Sequence, residues 1–161
     1  MDGTPVGDRG PGAVGDDVAA GRITVEEASR VYGVVVSGAE VDGTATSRRR
    51  ASMLKARLRR AMPAATPVRD DVAVSGDALP LYPGVVQRGR VAFAAESGAP
   101  LAVAPDHWTD GCPVLEERRP TAGATIVERA YLDPTTGRFL YVEAVPEGTG
   151  RSFTVGPARF A

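Results

Sequence analysis

Apolar residues recur at helical spacing in the first third of the chain. Within ITVEEASRVYG, Thr24 and Glu27 stand three residues apart, in the order of a capping box that begins a helix. Gly33 is the residue type that commonly ends a helix in the left-handed conformation. A shorter helix is predicted over residues 13–20, with Gly21 ending it. The pattern therefore predicts two short helices in succession.

A third helix is predicted from Ala51, Leu54 and Leu58, which recur every three or four residues until Pro63 interrupts the pattern. The segment RRRASMLKARLRR in this helix carries seven basic residues and no acidic one. No carboxylate is therefore available for ion pairs between residues four apart, and the like charges repel one another. We expect this helix to be marginal without a partner.

The second half of the chain changes to strand-like patterns separated by turns. GVVQRGRVAFAA and PLAVA are predicted strands interrupted by ESGAP, and ATIVERAYL and RFLYVEAV are predicted to form a hairpin. In the connecting DPTTG, Pro134 suits the second position of a turn and Gly137 suits a left-handed bulge position. Shorter extended segments are predicted for VVV at 34–36 and for SFTV near the end of the chain.

These patterns predict an α+β protein with an N-terminal helical segment and a small antiparallel β-sheet domain. Residues 1–11 contain Gly and Pro at almost every other position and are expected to be flexible. The helical segment is expected over 12–62. Pro, Gly, Asp and small residues without a helical period indicate a linker at 63–77, and the β domain is expected over 78–161.

Composition is that of a globular protein, with 43% hydrophobic and 24% charged residues. The formal net charge of −1 conceals an uneven distribution of basic and acidic residues along the chain. Of the 19 basic residues, seven lie in the basic helix, which leaves twelve against 20 acidic residues in the remainder. A near-neutral chain is not expected to bind nucleic acid generally, but its basic helix can recognise an acidic surface.

No apolar run approaches the roughly 20 residues that a membrane-spanning helix needs. The N-terminal MDGTPVGDRGPG also lacks the basic and then apolar regions of a signal peptide. The single Cys excludes an internal disulfide and agrees with a reducing compartment. We therefore expect no membrane partner and a cytoplasmic location.

One short segment, DHWTDGCP, holds the only His, Trp and Cys of the chain. A zinc site needs four ligands, and no second His or Cys exists beside His107 and Cys112. A Cys112 nucleophile with His107 as its base would need an orienting group and an oxyanion site, which no motif supplies. We favour a turn made by Asp110 and Gly111, with Cys112 buried and Trp108 packed on a sheet.

The basic helix allows three interpretations: a solvated face, a phosphate-binding surface, or a docking surface for an acidic partner. No helix-turn-helix spacing, aromatic interleaving or zinc finger supports nucleic-acid binding, which stays an alternative. We favour docking, because Arg pairs with carboxylates through two parallel hydrogen bonds and because the helix is weak alone. The candidate docking residues are Arg48, Arg49, Arg50, Lys55, Arg59 and, at the end of the preceding helix, Tyr32.

The stretch GDDVAAGRITVEEASRVYGVVV resembles the C-terminal tail of the large B-type subunits of the hydantoinase B and oxoprolinase family. In that tail a short helix ends in Gly and is followed by a Ser or Thr cap, Glu, Ala and Tyr-Gly-Val-Val, and an Arg-rich helix comes last. The resemblance covers about residues 12–62. The matching residues are Asp17, Val18, Gly21, Thr24, Glu26, Ala28, Tyr32, Gly33, Val34 and Val35.

The second half resembles, more weakly, the small gamma-type subunit of acetone and acetophenone carboxylases of the same superfamily. The large body of a B-type subunit is absent, and Cys112 stands alone where the small subunits carry a zinc-bound Cys cluster. We therefore carry over no catalytic, cofactor-binding or metal residue, and no glycine-rich phosphate loop is present.

The resemblance implies an accessory subunit that completes a complex of larger A-type and B-type subunits, and ATP and divalent metal are expected only on those partners. The alternatives are a free-standing small enzyme that uses Cys112 and His107, or a nucleic-acid-binding protein.

Overall fold

The computed structural model describes residues 9–68, 76–152 and 156–157, and they form an α+β fold. The chain divides into two compact units, Met1–Ala56 and Arg57–Ala161, and the division falls within a helix. The sequence predicts the division at a linker over residues 63–77.

The described residues of the first unit form three helices and a two-stranded antiparallel sheet. The helices are α1 (Pro11–Ala19), α2 (Val25–Tyr32) and α3 (Gly43–Arg60), the last of which extends beyond the unit. The strands are β1 (Val36–Ser37) and β2 (Glu40–Val41). The core that the described residues of this unit form is small, since its fully buried apolar side chains are those of Val14, Ala28 and Val34.

The predicted cap of α2 is confirmed. Thr24 Oγ1 accepts a hydrogen bond from the Glu27 backbone N–H at 3.1 Å, and Glu27 Oε2 accepts one from the Thr24 N–H at 2.8 Å. Gly33 ends the helix with a φ of 65°. Helix α1 begins at Pro11, because Pro is pre-organised for the first helical position, so the predicted flexible stretch 1–11 extends one residue too far. Residues 1–8 lie outside the described part of the chain.

Two antiparallel sheets are formed by the described residues of the second unit, and the strands of each follow chain order. The four-stranded sheet is made of β3 (Leu79–Tyr82), β4 (Val85–Arg88), β5 (Val91–Ala94) and β6 (Pro100–Val103). The three-stranded sheet is made of β7 (Val114–Pro120), β8 (Thr125–Leu132) and β9 (Phe139–Pro146). A 3-10 turn, Trp108–Gly111, lies between β6 and β7.

The predicted hairpin is strands β8 and β9, and Gly137 adopts the expected left-handed conformation with a φ of 74°. Strands β3 and β7 were not predicted from the sequence. Most of the predicted SFTV strand, residues 153–155, lies outside the described residues.

The segment that follows α3 is held against the three-stranded sheet. Met62 pairs with Val114 through two backbone hydrogen bonds of 2.8 and 3.0 Å, and the Thr66 N–H donates to the Asp110 carbonyl at 2.9 Å. The start of the predicted linker 63–77 is therefore attached at its backbone, whereas residues 69–75 lie outside the described part. No helix among the described residues has the length and apolar character to cross a bilayer.

Candidate functional site

Helix α3 is exposed along most of its length. Its N-terminus is capped by Asp42 Oδ1, which accepts from the Ala45 N–H at 2.8 Å, and Thr46 is its only fully buried residue. Of the predicted apolar face, Leu54 and Leu58 are half-buried and Ala51 is exposed. The apolar stripe of this helix is therefore incompletely covered by the rest of the described chain.

Two of the predicted docking arginines bind the backbone of their own unit. Arg49 Nε donates to the Ser29 carbonyl at 3.3 Å, and Arg50 Nε donates to the Tyr32 carbonyl at 3.1 Å. Arg50 also donates to the carbonyl of Arg9 at 2.6 Å. Tyr32 is half-buried and packs against the small core. These residues position α3 within the unit, so they are less available to a partner.

The other predicted docking residues, Arg48, Lys55 and Arg59, are exposed and have no ion-pair partner among the residues that the structure describes. Arg48 and Lys55 are seven residues apart and therefore lie on the same face of α3. Lys55 and Arg59 are four apart, a spacing at which like charges destabilise a helix by about 0.2–0.5 kcal/mol. This face is a cationic surface without compensating carboxylates among the described residues.

The DHWTDGCP segment forms the 3-10 turn, and its Trp side chain packs in the core of the second unit. The Trp108 ring is fully buried, stacks on Tyr82 with ring centroids 5.5 Å apart, and meets Tyr141 edge-on. A Cβ on Gly111 would overlap the backbone carbonyl of Leu101 on β6, so only Gly fits there. The segment is thus a tightly packed turn, in agreement with the favoured interpretation.

Cys112 has the properties of a buried apolar residue. Its side chain is fully buried, and its thiol donates to the Trp108 carbonyl at 3.5 Å rather than to His107. Burial, together with the nearby carboxylates of Asp133 and Asp110, raises the pKa of this thiol far above its ordinary value. A nucleophilic Cys needs the opposite environment, in which the thiolate is stabilised.

We therefore expect Cys112 to react with a thiol reagent such as DTNB at least about 100-fold more slowly in the folded protein than in denaturant, because burial and the raised pKa both suppress the thiolate. The release of thionitrobenzoate measures the rate. A Ser52→Cys variant, altered at an exposed position of α3, provides an internal fast-reacting thiol. Equal rates at the two positions would contradict this account and favour the free-standing enzyme.

A row of charged side chains crosses one face of the three-stranded sheet. The strand register places Glu116 opposite Arg129 and Arg129 opposite Glu143. Arg129 Nε lies 3.3 Å from Glu116 Oε2, and Arg129 Nη1 lies 3.3 Å from Glu143 Oε1. The central guanidinium is therefore paired with a carboxylate on each side.

Glu143 is the most buried carboxylate of this row, with its side chain 1% exposed. Burial alone would raise its pKa, but hydrogen bonds from Ser152, Tyr131 and Arg129 outweigh burial and hold the pKa below its usual value. The Tyr131 hydroxyl donates to Glu143 at 2.9 Å. Burial and this bond to a carboxylate raise the pKa of Tyr131 to about 12. Glu143 is thus ionised and Tyr131 is neutral near pH 7.

A cavity of about 270 Å³ lies over this face of the sheet. Its floor includes Glu116, Arg129 and Tyr131, and Thr109 and Asp110 of the 3-10 turn form another wall. Arg151 also lines it and pairs with Asp110. The 3-10 turn, which lies in the DHWTDGCP segment noted in the sequence, therefore lies beside Glu116 and Arg129 at this cavity. Those two residues were not identified from the sequence as part of a site.

Three consecutive residues of this region carry a buried polar atom without a hydrogen-bond partner in the described structure. They are His107 Nδ1, Trp108 Nε1 and Thr109 Oγ1. An unsatisfied buried polar atom costs about 1–3 kcal/mol, and such atoms are few in native proteins. Of these three residues, Thr109 alone lines the cavity.

No group of three His, Cys, Asp or Glu side chains suited to a metal ion occurs within residues 9–68, 76–152 and 156–157. Comparison of the chain with models of protein families, with curated proteins and with solved structures finds no match. The resemblance to hydantoinase B tails and to small carboxylase subunits therefore stays a prediction.

Proposed function

We propose that this chain is an accessory, non-catalytic subunit that docks through α3 on larger A-type and B-type subunits of an ATP-dependent hydantoinase, oxoprolinase or acetone-carboxylase-like complex. The proposal depends chiefly on the cationic face of α3, where Arg48 and Lys55 are exposed without ion-pair partners in the described chain. The identity of the complex comes from the sequence resemblance alone. ATP and divalent metal belong to the partner subunits, and the complex is cytoplasmic.

Charge and packing both favour an acidic protein partner over solvent. An isolated helix with seven basic residues and no acidic one gains nothing from intrahelical ion pairs and loses stability to repulsion. Carboxylates of a partner would relieve that repulsion, and the half-buried Leu54 and Leu58 add apolar area that docking can cover. Among the described residues of the first unit, the core has three fully buried apolar side chains, so this unit also gains stability from association.

Charge reversal on α3 tests this proposal. We expect Arg48→Glu combined with Lys55→Glu to weaken binding to the partner subunits by about tenfold or more, since each substitution places a carboxylate opposite the partner's carboxylates. Affinity is measured by titrating the tagged chain against the purified partner complex at low and moderate salt.

A variant with Arg30→Glu and Arg88→Glu is the matched control, because it changes the net charge equally at two exposed residues outside α3. The control should bind as the unaltered chain does. Equal binding of both variants to the partner subunits would refute docking through α3. If the Arg48→Glu, Lys55→Glu variant instead loses retention on DNA and keeps its binding to protein, the nucleic-acid alternative is favoured.

A further inference from the structure

The cavity over the three-stranded sheet has the size of a site for a small metabolite. Its volume of about 270 Å³ equals that of roughly nine water molecules at about 30 Å³ each. Met62, Pro63 and Val114 contribute apolar wall, and Tyr131 contributes an aromatic surface. A few polar groups within an apolar wall are typical of small-molecule sites.

The charges on the wall balance one another. Arg151 pairs with Asp110, and Arg129 pairs with Glu116, so the four ionised side chains sum to zero. A ligand that carried one charge would attract one member of a pair and repel the other. A ligand with two neighbouring groups of opposite charge leaves every ionised group compensated, because each of its charges meets the opposite member of the pair.

Of the two ion pairs, Arg151 and Asp110 are the more available to a ligand. Arg129 already donates to Glu116, to Glu143 and to the carbonyls of Thr149 and Gly150. Arg151 has Asp110 as its partner among the described residues, and its side chain is 25% exposed. An entering carboxylate therefore finds its guanidinium donor at Arg151.

An unpartnered hydroxyl in the same wall is a second, independent observation that points to a polar ligand. Thr109 is 3% exposed and lines the cavity, yet its Oγ1 has no hydrogen-bond partner in the described structure. A hydroxyl both donates and accepts, so it can bind either end of a polar ligand. A bound polar group would remove the cost of about 1–3 kcal/mol that the free hydroxyl carries.

We propose that this cavity binds a small zwitterion of the α-amino acid class with an apolar side chain. The ligand carboxylate accepts from the Arg151 guanidinium and its ammonium group donates to Asp110. Its side chain lies against Val114 and Tyr131. The ammonium and carboxylate groups of the ligand are attached to the same carbon atom and so match the two adjacent members of a single ion pair. This site is separate from α3 and does not depend on the docking proposal.

Isothermal titration calorimetry with L-leucine tests the site. We expect saturable binding, and at least about tenfold weaker binding of N-acetyl-L-leucine, which lacks the ammonium charge, and of L-leucinamide, which lacks the carboxylate. Arg151→Gln should weaken leucine binding by a similar factor. Arg138→Gln, altered at an exposed arginine paired with Glu96 outside the cavity, should bind leucine normally.

Thr109→Val provides a second variant that keeps the shape of the side chain. It should bind leucine more weakly while unfolding at the same or a higher denaturant concentration, since the orphan hydroxyl is gone. Absence of leucine binding up to about 10 mM would overturn the proposal. Equal binding of the charge-deleted analogues, or unchanged binding by both Arg151→Gln and Thr109→Val, would overturn it as well.

Discussion

Glu143→Gln should lower the free energy of unfolding of the second unit by about 2–4 kcal/mol. Removing one member of a buried ion pair costs about 3–5 kcal/mol, and the value here is smaller because Arg129 keeps its pairing with Glu116. The substitution also weakens the bonds from Tyr131 and Ser152. Denaturant unfolding followed by the fluorescence of Trp108, the only Trp, reports on this unit.

The effect of Glu143→Gln should depend on pH in a definite direction. The pKa of Glu143 is lowered in the folded state, so its ionisation stabilises the fold above the unfolded value of 4.5, and this contribution is lost as pH falls through the folded pKa. The two proteins should therefore differ most above about pH 5 and converge in acid. Glu147→Gln, at an exposed carboxylate paired with exposed Arg118, is the control and should change stability by less than about 0.5 kcal/mol. A Glu143→Gln protein as stable as its parent at pH 7 would contradict this account.

Gly111→Ala is expected to destabilise the same unit by about 3 kcal/mol or more. The added Cβ would overlap the Leu101 carbonyl, and because that atom belongs to the backbone of β6, no side-chain rotation can relieve the overlap. The turn would have to move away from the sheet, which would expose Trp108 and Cys112. Loss of the Trp108 emission of the folded state at lower denaturant concentration measures this change.

Gly123→Ala is the matched control for this substitution. A Cβ at Gly123 meets nothing within 4 Å, and its φ is not positive. The control should be unchanged or more stable by up to about 1 kcal/mol, because Ala reduces the entropy of the unfolded chain. Equal stability of the two variants would show that the turn tolerates displacement and that its packing against β6 is loose.

The sequence predicts those features of the fold whose interacting groups lie close together along the chain. The Thr24–Glu27 capping box and the turn at Pro134 and Gly137 are both confirmed, because the groups that form each of them lie within a few residues. The apolar period of the basic helix also predicted α3, although the helix begins earlier, at Gly43. The bonds from Arg49 and Arg50 to carbonyls of their own unit depend on how α2 packs against α3 and were not predicted.

The charged row under the cavity could not be predicted because it depends on strand register. Glu116, Arg129 and Glu143 are 13 and 14 residues apart along the chain and meet only when β7, β8 and β9 pair. The hairpin register at Gly137 was a usable signal for the Arg129–Glu143 pair, but β7 was not recognised as a strand. The restriction on Gly111 also arises from tertiary packing, since Leu101 lies on a different element.

Affinity purification of the tagged chain from its native cell at moderate salt, followed by mass spectrometry, tests the proposed accessory role most directly. We expect stoichiometric recovery of larger A-type and B-type hydantoinase-like subunits, and their loss from the Arg48→Glu, Lys55→Glu variant but not from the Arg30→Glu, Arg88→Glu control. Recovery of the chain as a lone, folded monomer would contradict it.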